Sequence, residues 1–174
     1  IVLEECSYCN YRFYTKAIAD IELGYYNKVV ESLQLVTEKV DDNLLQKPLF
    51  TALIRLKKTD EVASLIQKLE LIKGSENLEE LYLHIGKEFL RLNLTREAHI
   101  YFDKIINNES LNKLRLNKIL ALFYNGNYKD TEIETLKYLK FEYENIELNS
   151  ILASAQNKNG KNKASLETIE KINK

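Results

Sequence analysis

The 174-residue sequence has no Met, no Trp, one Pro and five Gly. So little Pro and Gly cannot supply the turns of a β-rich or loop-rich fold, and long helices with short joints are indicated. No run approaches the ~20 apolar residues a membrane helix needs. The opening Ile1-Val2-Leu3 meets Glu4 and Glu5 at once, so the long apolar core of a signal peptide is missing too. Without any Met, Ile1 is expected not to be the original start. The chain then reads as a trimmed domain or processed mature chain, part of something longer. This composition favours the cytoplasm only slightly over export or lipid anchoring through a preceding segment. A surplus of one charge sign is lacking as well. With 25 basic against 26 acidic residues and a pI near 6.2, there is no overall pull toward nucleic acid or an acidic membrane.

Residues that carry chemistry are few. Cys6-Ser7-Tyr8-Cys9 has the spacing of zinc sites and redox-active thiols. A zinc site wants a second pair of ligands, and His84 and His99 are distant and unpaired. Two half-buried thiols on a first helix are the simpler reading, a redox-sensitive pair the alternative. His84 and His99 read as helix-surface residues. There is no glycine-rich phosphate loop, no His-Glu-x-x-His, and no nucleophile with a recognisable base; Glu79 with Glu80 and Glu142 with Glu144 read as solvated faces. The expectation is a non-catalytic protein with no cofactor and no metal.

What the chain does have is helical periodicity in 45% hydrophobic residues. Tyr14, Ala17, Ile18 and Ile21 share a stripe, Leu23 to Tyr26 break it, and Val29, Val30, Leu33 and Val36 form a second face. Next come Leu44, Leu45, Leu49, Ala52, Leu53 and Leu56, a polar turn from Lys57 to Asp60, then Val62, Ala63, Leu65, Ile66 and Leu69. Pro48 is cheap only within a first turn, which predicts a helix start near Gln46 or Lys47. Gly74 to Asn77 is a stop and restart, with Gly74 ending one helix and Ser75 or Asn77 capping the next. A third hairpin places Tyr82, Ile85 and Phe89 on one helix and Ala98, Phe102 and Ile105 on another, with a turn at Asn93 and a start at Thr95 supported by Glu97. Gly86 and Ala98 sit where two helices could cross closely. The fourth hairpin runs Leu114, Leu116, Ile119, Leu120 and Phe123, a turn from Asn125 to Tyr128, then Ile133, Leu136, Tyr138 and Leu139. The fifth runs Ile146, Leu148, Ile151, Leu152 and Ala155, a turn from Asn159 to Lys161, then Ala164, Leu166, Ile169 and Ile172 on a helix polar enough to close a stack.

Taking one turn residue per hairpin, Gly24, Lys58, Asn93, Gly126 and Gly160 lie 34, 35, 33 and 34 residues apart. Five hairpins, approximately 8–40, 42–73, 77–108, 111–142 and 145–174, fill a single domain.

The stretch from Tyr82 to Ser110 resembles the tetratricopeptide repeat, with Tyr82 for the family's Trp, Ile85-Gly86 for Leu-Gly, Phe89 for Tyr, and Ala98 and Phe102 at the expected places. Ser110 replaces the closing Pro. Thr131 stands near an expected Ala and Lys58 replaces a turn Gly, so irregular packing is expected in the outer repeats. The resemblance implies an all-α, right-handed α-solenoid, a superhelix of about five antiparallel helix-turn-helix repeats whose first helices line the inner face. It also implies a protein-interaction scaffold that takes a peptide or helix of a partner in that groove. The candidate contact residues are Leu83, Lys87, Leu90 and Arg91, then Asn117 and Lys118, then Asn149, since amides can hold a peptide backbone and cations a carboxylate. Charge reversal at Lys87 with Arg91 is expected to weaken binding and leave melting unchanged. Tyr14 and Ile18 occupy the part of the first hairpin where chaperone-binding relatives place a Lys and Asn clamp, so that specificity does not carry over. RNA-binding pentatricopeptide repeats have nearly the same period but need a basic surplus that is absent. Self-association into a homo-oligomer or larger assembly, with some of the eleven Tyr as anchors, is the alternative.

Overall fold

Five left-handed turns organise the chain. In the computed structural model, which describes residues 7–37, 43–74, 77–106, 115–140 and 145–172, Gly24, Lys57, Asn93, Gly126 and Gly160 all have φ between 59° and 80°. At each of them the N–H donates to the carbonyl three residues back, and the next N–H donates to the carbonyl five back from itself. For example, Gly24 bonds Ile21 and Tyr25 bonds Asp20, at 2.9 and 2.7 Å; Gly160 bonds Asn157 and Lys161 bonds Gln156, at 2.9 and 2.8 Å. This is the Schellman closure, which satisfies the last carbonyls of a helix and reverses the chain within two or three residues. It recurs at spacings of 33, 36, 33 and 34. In the second hairpin the left-handed residue is Lys57, one position before the expected landmark, and there a Cβ is carried where Gly would be unstrained.

Among the described residues ten helices flank these turns: α1 (Ser7–Glu22), α2 (Tyr26–Thr37), α3 (Asn43–Arg55), α4 (Thr59–Lys73), α5 (Glu79–Arg91), α6 (Thr95–Ile106), α7 (Arg115–Tyr124), α8 (Tyr128–Leu139), α9 (Ile146–Lys158) and α10 (Asn162–Ile172). Helix α3 begins earlier than expected, so that Pro48 lies inside it. The helix persists through the missing N–H because Leu45, Leu49 and Phe50 around it are fully buried. Nor does a polar side chain cap α5. Leu78 precedes it, while the Asn77 amide donates backward to the Lys73 carbonyl at 2.6 Å, closing the end of α4. Cys6 and the side chain of Cys9 lie outside the described residues.

The chain divides into two compact units, Ile1–Thr95 and Arg96–Lys174. In unit 1, α3 is the hub, packed on α1, α2, α4 and α5. Its core is aliphatic and aromatic: Val29 and Leu33 from α2, Leu45, Leu49, Phe50 and Ile54 from α3, Val62 and Ile66 from α4, and Tyr82, Ile85 and Phe89 from α5. Tyr82 is fully buried and donates its hydroxyl to Glu70 of α4 at 2.8 Å, so the ring packs without stranding its polar end.

In unit 2, α9 is the hub, packed on α7, α8 and α10. Ile119, Leu148 and Ile151 form a cluster covered by Leu116, Leu120, Phe123, Tyr138 and Leu139. Phe102 of α6 stacks on Tyr124 of α7, with ring centroids 5.9 Å apart. Here two helices present a face different from the expected one. Helix α10 buries Ser165 and Thr168 and exposes Leu166 and Ile169, while α8 buries Thr131 and Thr135 and exposes Ile133 and Leu136. The hydroxyls make this arrangement tolerable because each finds a partner. Ser165 donates to the Ala153 carbonyl and Thr168 lies 2.9 Å from Gln156 Oε1, while Thr131 and Thr135 bond carbonyls one turn back in their own helix.

Candidate partner-binding faces

Helices α3 and α5 are joined by a row of polar contacts at equal steps. Lys47 Nζ lies 3.2 Å from Glu80 Oε2, Thr51 Oγ1 lies 2.9 Å from His84 Nε2, and Arg55 Nη2 lies 3.2 Å from Glu88 Oε2. Each pair is 33 residues apart, and successive pairs advance by four on both helices, so α3 and α5 run parallel with their turns in register. Both helices are first helices of neighbouring hairpins. The row therefore fixes the register of one repeat on the next.

Charge along the row is set by burial. Glu88 is only 1% exposed and is held by two guanidinium groups, Arg55 from α3 and Arg91 from the next turn of α5. His84 Nε2 also lies 3.1 Å from the Lys47 carbonyl. Because a carbonyl only accepts, Nε2 carries the ring proton in that bond. Burial pulls the His84 pKa below its ordinary value, against the nearby Glu88 carboxylate and the Lys47 carbonyl, which favour the charged ring. His84 is thus a half-buried link between helices rather than the surface residue expected.

Among the expected contact residues, those on α5 divide. Leu83 is buried, Leu90 and Lys87 are half-buried, and Arg91 is exposed but paired with Glu88. Glu80, His84, Lys87 and Arg91 follow one another at helical spacing, so Lys87 shares the stripe of the polar row. In unit 2, Asn117 on α7 is buried, with its Nδ2 unbonded among the described residues. Lys118 beside it is half-buried, and Asn149 on α9 donates to the Asn145 carbonyl one turn back at 2.9 Å. Leu83 and Asn117 therefore belong to the packing. Lys47, Thr51, Arg55, Glu80 and Glu88 were missed because no single helix marks them. Comparing residues 33 apart for complementary charge would have found two of the three contacts.

Unit 2 carries a separate polar knot. Glu132 of α8 takes Lys161 at 2.8 and 3.0 Å and the Asn159 amide at 3.0 Å, joining α8 to the turn after α9. The Lys161 ammonium holds the Glu132 carboxyl below its ordinary pKa, with Asn159 assisting against the cost of burial. In unit 1 a cavity of about 450 Å³ opens between α2, α3 and α4, walled by Leu49, Leu53, Leu65 and Leu69 and edged by Gln34, Asp60 and Lys68. Among the described residues no group of three His, Cys, Asp or Glu side chains could hold a metal ion, and no helix is long and apolar enough to cross a membrane.

No family model and no curated protein matches the sequence. Solved structures do. A tetratricopeptide repeat protein from Parabacteroides merdae ATCC 43184 superposes with a TM-score of 0.60 at 17% identity over 98% of this chain and 66% of that one. The chain has a tetratricopeptide-like repeat fold. It spans just under two thirds of the length of that relative in fold. MamA from AMB-1 gives a TM-score of 0.50 at 16% identity, over 92% of this chain and 95% of that one. At these identities the likeness is one of fold. Within the tetratricopeptide-like fold, α3 and α5 are the first helices of successive repeats, the position at which the polar row sits.

Proposed function

We propose that the chain is a non-catalytic scaffold for protein interaction, and that the first-helix face of unit 1 takes an extended or helical segment of a partner rich in Asp and Glu. The observation that carries this reading is the charge of the face: Lys47, Arg55, Lys87 and Arg91 against Glu80 and Glu88, on two helices locked in register. With Arg55 and Arg91 sharing the single Glu88 carboxylate and Lys47 paired with Glu80, the four cations outnumber the carboxylates by two. Such a surplus attracts carboxylates, and a pre-formed face binds without a further ordering cost. Lys118 and Asn149, in unit 2, offer a cation and an amide of their own.

Selection from a random peptide display library on the immobilised chain tests the reading. Enriched peptides should be acidic, and their binding should fall with Lys47→Glu and Lys87→Glu while the circular dichroism spectrum stays the same. Peptides without acidic bias, or binding that survives both reversals, would overturn it.

A further inference from the structure

The row that joins α3 to α5 has a counterpart one repeat earlier, and there it is apolar. Counted back from the left-handed turn residue, Lys47 stands ten before Lys57 and Glu80 thirteen before Asn93. The same two positions on α1 and α3 carry Tyr14, ten before Gly24, and Leu44, thirteen before Lys57. Thr51 and His84, six and nine before their turns, are matched by Ile18 and Pro48. Helix α1 packs on α3, and α3 on α5, so aromatic and aliphatic groups take the places of an ion pair and a histidine link. They are only partly covered. Leu44 and Ile18 are 39% and 37% exposed, Tyr14 is half-buried, and Tyr11, with its ring centroid 6.4 Å from that of Tyr14, is 62% exposed.

We propose that this strip anchors a Leu, Ile or Phe side chain of the same acidic segment that the cations hold, so that the partner is amphipathic and lies across α1, α3 and α5. The inference rests on the acidic-segment reading and adds to it. Two observations single out the occupant. The first is continuity. On α3, Leu44 and Lys47 are three residues apart; Lys47 stands where a first helix meets the following one, and Leu44 where it meets the preceding one. A segment laid across α3 touches both. The second is charge. The α3 and α5 stretch holds the surplus of cations, whereas Tyr11, Tyr14, Ile18 and Leu44 give a carboxylate nothing to pair with. Covering them favours an apolar side chain. Neighbouring helix axes lie about 8–10 Å apart and extended chain advances about 3.3 Å per residue, so the anchor falls about three residues from the acidic block.

Fluorescence anisotropy of the full chain with two labelled peptides tests this. One is a block of Glu padded with Gly and Ser; the other has Leu in place of padding about three residues to either side of the block. The Leu peptide is expected to bind about tenfold more tightly. Ile18→Ser combined with Leu44→Ser should remove that gain while leaving the Glu peptide's affinity and the helical spectrum unchanged. Tyr11→Ser, at the most exposed of the four positions, should remove part of the gain by itself. Lys47→Glu should weaken both peptides. Equal affinity for the two peptides, or a gain that survives both the double variant and Tyr11→Ser, would overturn the apolar anchor and leave the acidic reading standing. Binding of the Leu peptide that ignores Lys47→Glu, or no binding of either peptide, would overturn the two together. Self-association in sedimentation velocity that the double variant abolishes would give the strip to a second copy of the chain, and would likewise overturn the inference.

Discussion

In unit 1 the second helices bury Val29, Val30, Leu33, Val62, Ile66 and Leu69 and turn Gln34 and Gln67 to solvent. In unit 2, α8 and α10 bury Thr131, Thr135, Ser165 and Thr168, and the positions matching those two glutamines, counted from the left-handed turn residue, carry Leu136 and Glu170. The turn geometry of the repeat is the same, and the difference is that α8 and α10 place hydroxyls at buried positions where α2 and α4 place aliphatics. The first helices differ too: α3 and α5 meet through ion pairs and a histidine, whereas α7 and α9 meet through the Ile119, Leu148 and Ile151 cluster. Repeat position decides which side chain faces inward, and hydroxyls that can bond a nearby carbonyl are accepted there. Aliphatic side chains such as Ile133 and Leu136 are then left on the outer surface.

The largest expected effect breaks the polar row. Glu88→Ala leaves Arg55 and Arg91 without their shared buried carboxylate and should cost about 3 kcal/mol in urea unfolding. Arg91→Glu should also lower the melting temperature, since it sets a second carboxylate beside Glu88. This corrects the expectation that reversing Lys87 with Arg91 would spare melting, and it is why Lys87 is the cleaner probe of binding.

A matched pair of truncations sharpens the contrast between the units. Leu69 on α4 and Thr168 on α10 are both buried side chains of second helices. Leu69→Ala should cost about 3 kcal/mol through lost burial and a residual cavity. Thr168→Ala should cost about 1 kcal/mol, the worth of a hydroxyl bond to Gln156. Equal losses would mean that hydroxyls and aliphatics pack alike in these helices.

Acid should separate the units next. His84 has its pKa lowered from 6.5, so above that value it is neutral in both states and adds no pH dependence. Below it the unfolded chain takes a proton that the fold refuses, and stability falls with pH until the folded pKa is passed. Glu132 is lowered from 4.5, so its contribution is complete above that value and disappears only as pH falls through the folded pKa. Unit 1 is expected to weaken first on acidification. His84→Gln should flatten the stability profile just below 6.5, and Glu132→Gln should leave that region alone, as read by urea midpoints against pH.

The smallest effect concerns the one turn closed by a Lys in the left-handed region. Lys57→Gly should stabilise unit 1 by up to about 1 kcal/mol, less the entropy Gly adds to the unfolded chain. Gly24→Ala should destabilise it at the equivalent turn.

The hairpins were legible from the sequence because Gly24, Gly126, Gly160 and Asn93 mark left-handed turns at near-constant spacing between apolar stripes. The face turned inward by α8 and α10 was not, because a stripe of Thr and Ser reads as solvent-facing until the Ala153 and Gln156 acceptors are placed beside it. The start of α3 was obscured by Pro48, which local propensity forbids and tertiary packing permits. On the candidate face, Lys87 and Arg91 stood out as cations on one helix. The commitment of Arg91 to Glu88 depends on how buried that carboxylate is, and no spacing rule reveals it.

Hydrogen exchange across the chain, with and without an acidic peptide selected by display, tests most directly the assignment of the partner-binding face to α3 and α5. Peptide should slow exchange in α3 and α5. Peptide protection confined to α8 and α10, with α3 and α5 unchanged, would contradict it.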